Sequence, residues 1–359
     1  MAEHLSQSEL DYPFKLLEYF NGFRVSKVIF SACELGVFDL LLRRPRKPIS
    51  GSAVWAQDLS CKRGGRDGET EWTPGWGIEI LGVETKDGTD YSFCFHFGSS
   101  SSDVANLLPS PKAAGSPLHD MIIYQSQTIY PLWNNMADAV RGRIKIEKTF
   151  GLPSEDIFKA LYRSRGEMLK FMGLMNSSWV LDGHDIVTAF NLSGFQKIVD
   201  LGGCTGALAR EMAKAWPSSS VTVLDLPQVV EAAQKHFPQE DDAVEFQSGD
   251  FFSDEIPPAD LYILARIIHD WPEEKCVTLL KKIHDSCRPG GGVLLVEALL
   301  FENRRGPVTA QIFSLNMLVQ TEGRERPPSE YTRILEKTGF HNVQVCRTGK
   351  CYDTILATR

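Results

Sequence analysis

A histidine and several carboxylates occur where predicted strands end, and side chains of this kind can move a proton. His269 and Asp270 follow one predicted strand, Glu297 ends another, and Glu322 lies in a later segment. A histidine can act as a general base near neutral pH, and carboxylates can orient it. Each residue alone also has an ordinary structural explanation. Together they predict a base with orienting partners.

A glycine-rich turn supplies a second group of chemically capable residues. Asp200, Gly202, Gly203 and Gly206 stand in the segment 199–206, between a short apolar run and a helical pattern. Glycines at a strand-to-helix turn let the backbone approach a ligand closely, although a tight turn alone also favours them. Asp225 ends the next apolar run. An acidic residue there can accept hydrogen bonds from a ribose, or it can simply cap the following helix. The pair favours a nucleoside cofactor.

The spacing of the turn distinguishes between nucleoside cofactors. A dinucleotide site favours G-x-G-x-x-G, whereas Asp200 here lies two residues before Gly202. A carboxylate beside the ligand suits an ammonium or a sulfonium group better than a diphosphate. S-adenosylmethionine is therefore favoured over NAD. Gly249, Asp250 and Phe251 follow a further strand and are suited to hold the adenine.

The elements that must position these residues alternate between strands and helices. From residue 195 onward, short apolar runs and helical patterns follow each other regularly. This alternation predicts an α/β domain with a parallel, doubly wound sheet and helices on both faces. The carboxyl ends of such strands share one edge, where ligands bind. Residues 340–359 predict two further strands, which form an antiparallel hairpin at the sheet edge.

The N-terminal part has a different organisation. Residues 12–43 predict a helix that is apolar nearly all round, which favours packing against a partner subunit. Residues 47–78 are glycine-rich and aperiodic and predict irregular structure. The pair Asp87-Gly88 between two apolar runs predicts a hairpin. Residues 98–103 predict a flexible connection, and residues 117–190 predict helices.

Composition limits the remaining possibilities. The chain has 359 residues, with 38 Lys and Arg against 46 Asp and Glu, so its net charge of −8 disfavours nucleic-acid binding. No apolar stretch approaches the length of a membrane span, and the N-terminus has no signal-peptide pattern, so we expect a cytoplasmic protein. The 8 cysteines form no CxxC pair and are expected to be free thiols. No carboxylate cluster demands a metal.

Several motifs together resemble one family, the S-adenosylmethionine-dependent O-methyltransferases of small phenolic molecules. The resemblance depends on NGFRVSKVIFSACELGVFDLL, LGGCTGALA, GDFF, DLYILARIIHDW, RPGGG and SLNMLVQTEG, and it covers residues 14–45 and 117–359. It implies an N-terminal, mostly helical, winged-helix-like dimerisation domain at 1–116 and a Rossmann-like methyltransferase domain at 117–359. The implied activity is methyl transfer from S-adenosylmethionine to a phenolic or indole hydroxyl, without a metal, in a homodimer.

The resemblance also implies roles for individual residues. His269 matches the general base, with Glu322 and Glu297 as the flanking carboxylates. Asn316 and Gln320 match positions that contact the acceptor, and Phe23 of the N-terminal helix is a further candidate. The positions that match cofactor contacts are Tyr162, Trp179, Asp225, Gly249, Asp250, Phe251 and Arg266.

Two features of this chain depart from the family pattern. Cys204 stands where a glycine is usual, and a positive φ there would strain it. Residues 47–100 are irregular where regular helices are expected, apart from the hairpin. A methyltransferase-like dimer that binds cofactor without catalysis is therefore the alternative to an active enzyme. An enzyme for another phenolic acceptor is a further alternative, while the glycine spacing disfavours an NAD-dependent oxidoreductase.

Overall fold

The computed structural model of the chain describes two compact units, Met1–His119 and Asp120–Arg359. The described residues are 22, 23, 26, 27, 30, 33, 77–84, 90–96, 119–141, 150, 158, 161–237 and 243–359. Among these residues, no helix is both long and apolar enough to cross a membrane.

In the N-terminal unit, the structure bears on two of the predicted elements. The six described residues between 22 and 33 are all helical, as predicted for that stretch of 12–43. Strands β1 (Gly77–Glu84) and β2 (Asp90–His96) pair antiparallel, which confirms the predicted hairpin. Of the residues 47–78 predicted to be irregular, Gly77 and Ile78 belong to β1. The remainder of that segment, the rest of the predicted helix and the connection at 98–103 lie outside the described residues.

The second unit begins with helices, as the pattern over 117–190 predicts. The longest, α4, begins after Ser164, whose hydroxyl accepts a hydrogen bond from the Glu167 backbone N–H at 3.2 Å and caps the helix. The elements bounded within the described residues of this part are α1 (His119–Tyr124), a π-helical turn (Gln125–Ile129), α2 (Tyr130–Trp133), α3 (Met136–Val140) and α4 (Arg165–Val187).

A seven-stranded sheet forms the centre of the second unit. Its order is β5-β4-β3-β6-β7-β9-β8. The first five strands in this order run parallel, while β9 pairs antiparallel with both β7 and β8. The predicted parallel sheet and the antiparallel hairpin at its edge are both confirmed. The strands are β3 (Lys197–Leu201), β4 (Ser220–Asp225), β5 (Val244–Ser248), β6 (Ala259–Ala265), β7 (Cys287–Glu297), β8 (His341–Cys346) and β9 (Asp353–Thr358).

The sheet is covered by helices on both faces, as predicted. Successive side chains of a strand point to opposite faces, so Val199 and Leu201 belong to one hydrophobic cluster and Ile198 to another. Because both faces of the sheet are buried in apolar clusters, the central strands are continuous apolar runs in the sequence. The covering helices are α5 (Ala207–Ala215), α6 (Pro227–His236), α7 (Glu273–Ser286), α8 (Val308–Gln320) and α9 (Pro328–Lys337). A 3₁₀ turn, Ile268–Asp270, follows β6.

Candidate functional site

A cavity of about 670 Å³ opens at the carboxyl edge of the parallel strands. The residues that follow four neighbouring strands line it, and α4, α7 and α8 supply other parts of its wall. This is the edge at which ligands bind in open α/β folds. Of the residues predicted for the site, those lining the cavity are Tyr162, Gly202, Asp225, Gly249, Asp250, Phe251, Arg266, His269, Asp270 and Gln320.

The glycine turn after β3 is shaped by close approach. Gly202 has φ +72°, and a Cβ there would lie 2.7 Å from the Ile267 side chain. Gly206, at φ +76°, precedes the first residue of α5. Cys204 also has a positive φ, +56°, so this residue is strained where a glycine would not be. The turn thus needs glycine at Gly202 and Gly206 but tolerates a cysteine between them.

Asp225 joins the end of β4 to this turn. Its two carboxylate oxygens accept hydrogen bonds from the backbone N–H groups of Cys204, at 2.8 Å, and Leu226, at 2.7 Å. Burial raises the pKa of Asp225 to about 6, because the charged form loses its hydration. The two backbone N–H donors oppose this rise and favour the ionised form, which keeps lone pairs that can accept from the hydroxyls of a ribose.

Asp200 lies behind the turn rather than on the cavity wall. A Cβ on Gly203 would lie 2.5 Å from an Asp200 carboxylate oxygen, so the two residues are in direct contact. Neither oxygen has a hydrogen-bond partner within the described part of the chain. Burial raises the pKa of Asp200 to about 7. An unpartnered buried carboxylate at a glycine turn fits a ligand that carries a cationic group, as the predicted cofactor does.

The residues after β5 form an aromatic side of the cavity. Asp250 accepts a hydrogen bond from the Phe252 backbone N–H at 2.8 Å, which turns the chain tightly. The Phe252 ring contacts Trp271 edge to face, with ring centroids 5.2 Å apart. The Phe251 and Phe252 ring centroids are 5.0 Å apart. Lys282 donates to the carbonyl oxygens of Phe251 and Phe252 and fixes the turn from below. These flat surfaces suit an adenine ring.

Two other predicted cofactor residues differ in their placement. Arg266, at φ +58°, lines the cavity and donates from Nη1 to the Met175 sulfur at 3.0 Å. Trp179 is 3% exposed and is absent from the cavity wall; its ring packs against Tyr352 at 5.2 Å. The structure therefore places Trp179 behind the wall that the cofactor was predicted to touch.

His269 lies in the 3₁₀ turn after β6, with one side of its ring bonded to a carboxylate. Its Nδ1 is 2.6 Å from Glu325 Oε1 and 3.5 Å from Glu297 Oε2. Its Nε2 is 3.6 Å from Asp270 Oδ1, which is beyond hydrogen-bond length. Glu297 also accepts from the Ile268 backbone N–H at 2.9 Å. When Glu325 is ionised it accepts at Nδ1, so that nitrogen then carries the proton and Nε2 keeps its lone pair.

The structure differs from the sequence prediction at one flanking carboxylate. Glu322 is partly exposed and pairs with Lys275 at 3.1 Å, while Glu325 takes the place against His269. Both glutamates stand in an irregular connection between α8 and α9, where no periodicity indicates which of them turns inward. Glu325 is followed by Arg326, which the structure shows to be buried as well. Because buried charges occur in compensated groups, the adjacent Glu and Arg indicate that Glu325, rather than Glu322, turns inward.

Burial raises the pKa of Glu297 and of Glu325 to about 8 in each case. With His269 they bring three ligand-type atoms within 4.8 Å of one another. However, the 2.6 Å separation of Nδ1 and Oε1 is that of a direct hydrogen bond, which leaves no place for an ion between those atoms. The group is therefore explained as a hydrogen-bonded proton carrier.

The residues predicted to contact the acceptor fall into three situations. Gln320 lines the cavity and donates from Nε2 to the Asn316 carbonyl oxygen at 3.3 Å. The Asn316 side-chain oxygen accepts from the Trp133 indole N–H at 2.6 Å. Because an indole nitrogen only donates, the Asn316 amide is oriented with its nitrogen available as a donor. Phe23 belongs to the N-terminal unit and is 52% exposed there; its role stays a prediction.

Comparison with known proteins adds independent findings. A family model of the O-methyltransferase domain matches residues 133–341, and one of the O-methyltransferase dimerisation domain matches residues 17–65. The second match extends into the segment after residue 47, where the sequence departs from a regular helical pattern.

Individual relatives match over nearly the whole chain. Acetylserotonin O-methyltransferase of Gallus gallus is 47% identical, covering 99% of this chain and 99% of the relative. The crystal structure of human N-acetylserotonin methyltransferase in complex with SAM matches with a TM-score of 0.80 at 41% identity, covering 100% of this chain and 99% of that one. A probable bifunctional dTTP/UTP pyrophosphatase/methyltransferase protein of Homo sapiens is 40% identical, covering 97% of this chain but 54% of the relative.

Proposed function

The chain belongs to the O-methyltransferase family, and we propose that it transfers the methyl group of S-adenosylmethionine to the 5-hydroxyl of N-acetylserotonin, giving melatonin. The observation that carries this proposal is the position of His269. Its ring lines the same cavity as Asp225 and Gly202, and Glu325 anchors its far nitrogen. The proposed proton acceptor, His269, and the proposed nucleoside site thus line the same cavity.

Residues on the cavity wall, and Asp200 behind it, hold different parts of the cofactor. S-adenosylmethionine, when bound, supplies an electrophilic methyl group on a sulfonium. We assign the ribose hydroxyls to Asp225, the cationic amino-acid end to the neighbourhood of Asp200, and the adenine to Asp250 and Phe251. Gly202 leaves space beside Ile267 and Phe251 on the cavity wall, whereas a side chain at Gly203 would collide with Asp200. Arg266, three residues before His269 in the chain, adds a positive charge to the cavity wall.

The acceptor must lose a proton as its oxygen attacks. A phenol has a pKa of about 10, so little of it is ionised at neutral pH without help. His269 takes this proton at Nε2, and the imidazolium that results is stabilised by Glu325 at Nδ1. Glu297 holds the turn through the Ile268 N–H. Orienting the two reactants in one cavity contributes a further, and generally larger, share of the acceleration.

The amide of N-acetylserotonin matches the polar groups of α8. Asn316 offers an N–H donor because Trp133 occupies its oxygen, and Gln320 offers an oxygen because its nitrogen donates to the Asn316 carbonyl. A secondary amide has one acceptor and one donor, so the two residues complement it. We extend the proposal to a homodimer, which the N-terminal dimerisation domain supports.

The direct test is product identification. The protein is incubated with S-adenosylmethionine and N-acetylserotonin, and the product is compared with melatonin by chromatography and mass spectrometry. N-acetyltryptamine, which lacks the 5-hydroxyl, is the matched control and should give nothing. Melatonin formation supports the proposal. If another phenol is methylated instead, the acceptor assignment is wrong; if S-adenosylmethionine binds but no acceptor reacts, the protein is a cofactor-binding dimer rather than an enzyme.

A further inference from the structure

A buried arginine lies beneath the turn that carries His269. Arg326 is 2% exposed. It donates from Nη1 to the Ile268 carbonyl oxygen at 3.1 Å and from Nη2 to the Trp271 carbonyl oxygen at 2.8 Å. These two carbonyls bracket His269 and Asp270 in the chain. One guanidinium therefore ties both ends of the 3₁₀ turn together.

The same short connection contacts the turn at two other points. Gly323 packs so closely that a Cβ there would overlap the carbonyl oxygen of His269. Glu325 accepts at Nδ1 of the His269 ring. Gly323 thus contacts the backbone of His269, and Glu325 contacts its side chain. Arg326 contacts the carbonyl groups on either side of it. The backbone of Arg326 is itself fixed, because its carbonyl oxygen accepts from the Leu300 N–H at 3.2 Å.

The charge of Arg326 also has a local purpose. Burying a guanidinium is costly unless acceptors and opposite charges surround it. Three carboxylates, Asp270, Glu297 and Glu325, lie within 4.0 Å of the His269 ring. Burial raises the pKa of Glu297 and of Glu325, and the Arg326 charge opposes this rise and favours their ionised forms. The ionised form of Glu325 accepts the Nδ1 proton and so leaves the lone pair on Nε2.

We propose that Arg326 is a positioning residue for methyl transfer, fixing the backbone of the His269 turn so that the ring meets both Glu325 and the acceptor. This inference rests on the proposed function for its kinetic consequence, but its structural content concerns His269 alone. Arg326 itself is absent from the cavity wall, so its influence on the reaction passes through the turn. Such a residue affects the chemical step and leaves ligand binding intact.

The test compares Arg326→Lys and Arg326→Gln with Arg333→Gln. Arg333 is exposed and pairs with Glu273 on the surface, so it controls for the loss of an arginine. A lysine keeps the charge but cannot donate to two separated carbonyls as a planar fork does. We expect kcat to fall by about 10²-fold in both Arg326 variants, the scale of a misplaced catalytic group. In Arg326→Lys the KM for S-adenosylmethionine should stay close to wild type and the melting transition should stay cooperative, at a temperature lowered by the lost hydrogen bond.

A second readout does not need turnover. The hydrogen-bonded Nδ1 proton of His269 is observed by NMR in histidine-labelled protein, and its resonance is assigned by its loss in His269→Ala. We expect this resonance to shift or broaden in Arg326→Lys and to persist in Arg333→Gln. If the wild type lacks activity but the resonance depends on Arg326, the proposed function fails and the positioning role stands.

Three results would overturn the inference. The first is an Arg326→Lys variant with wild-type kcat and an unchanged Nδ1 resonance. The second is an equal loss of kcat and of cofactor affinity, since this would indicate general damage to the cavity. The third is loss of cooperative melting in both Arg326 variants, since Arg326 would then be a folding residue.

Discussion

Nδ1 of His269 lies 2.6 Å from Oε1 of Glu325, and both side chains are almost wholly buried. The two residues are far apart in the chain and come from different connections at the carboxyl edge of the sheet. The bond fixes the ring and directs Nε2 away from the carboxylate. A base of this kind needs such a partner, because the partner sets the tautomer and stabilises the imidazolium.

Glu325→Gln should therefore lower kcat by at least about 10²-fold, because a neutral amide stabilises the imidazolium poorly. The KM for S-adenosylmethionine should change little. Glu322→Gln is the matched control, since Glu322 pairs with Lys275 instead. Steady-state kinetics of the two variants decide the matter. A larger loss in Glu322→Gln than in Glu325→Gln would contradict the geometry.

The strain at Cys204 can be measured as a difference between two substitutions. Cys204→Ala removes the thiol but keeps a Cβ at φ +56°, whereas Cys204→Gly removes both. We expect the glycine variant to exceed the alanine variant in free energy of unfolding by about 1 kcal/mol, the cost of a left-handed conformation. Denaturant titration measures the difference. An alanine variant as stable as the glycine variant, or more so, would show that this residue is not strained.

The buried carboxyls predict how stability depends on pH. Burial raises the pKa of Asp200 to about 7 and those of Glu297 and Glu325 to about 8. Between its unfolded pKa of about 4 and its raised folded pKa, such a carboxyl binds more protons in the folded protein than in the unfolded chain. Its contribution to stability therefore falls as pH rises through this range.

The ligand-free protein should consequently melt at a higher temperature at about pH 5.5 than at about pH 8.5. Asp200→Asn should make this decline shallower, because one of the raised groups is gone. Asp138→Asn, a change at an exposed position, is the control. Thermal melts across the pH range give the comparison. A melting temperature that rises steadily with pH would count against the burial of these charges.

Trp133 should affect the acceptor and not the cofactor. In Trp133→Phe the Asn316 amide loses the hydrogen bond that orients it. The KM for N-acetylserotonin should rise by roughly 3- to 10-fold, the value of a neutral hydrogen bond, while the KM for S-adenosylmethionine stays constant. Trp216→Phe removes an indole hydrogen bond to Val187, distant in sequence from α8, and serves as the control. Equal effects of the two substitutions would contradict the orienting role.

The sequence predicts the sheet well because its signals are local. Alternating apolar runs and helical patterns indicate the order of elements, and Asp225 and His269, predicted at strand ends, both line the cavity at the carboxyl edge of the sheet. The hairpin of β1 and β2 is confirmed for the same reason, since Asp-Gly is a local turn signal.

The sequence does not settle features of the site that depend on tertiary packing. Glu322 and Glu325 share an irregular connection, and only the packed structure shows that Glu325 turns toward His269. Trp179 packs against Tyr352, and its contact with the cofactor stays a prediction. The φ of Cys204, which the sequence leaves open, is positive and is a property of the assembled turn.

The most direct test of the account is transfer of a labelled methyl group from S-adenosylmethionine to N-acetylserotonin by wild type, His269→Ala and His184→Ala. His184 is exposed on α4 and controls for the loss of a histidine. We expect equal product from wild type and His184→Ala, and a loss of about 10²- to 10⁴-fold in His269→Ala with cofactor binding retained. Product formation by His269→Ala at the wild-type rate, or none from a folded wild type that binds S-adenosylmethionine, would contradict the account.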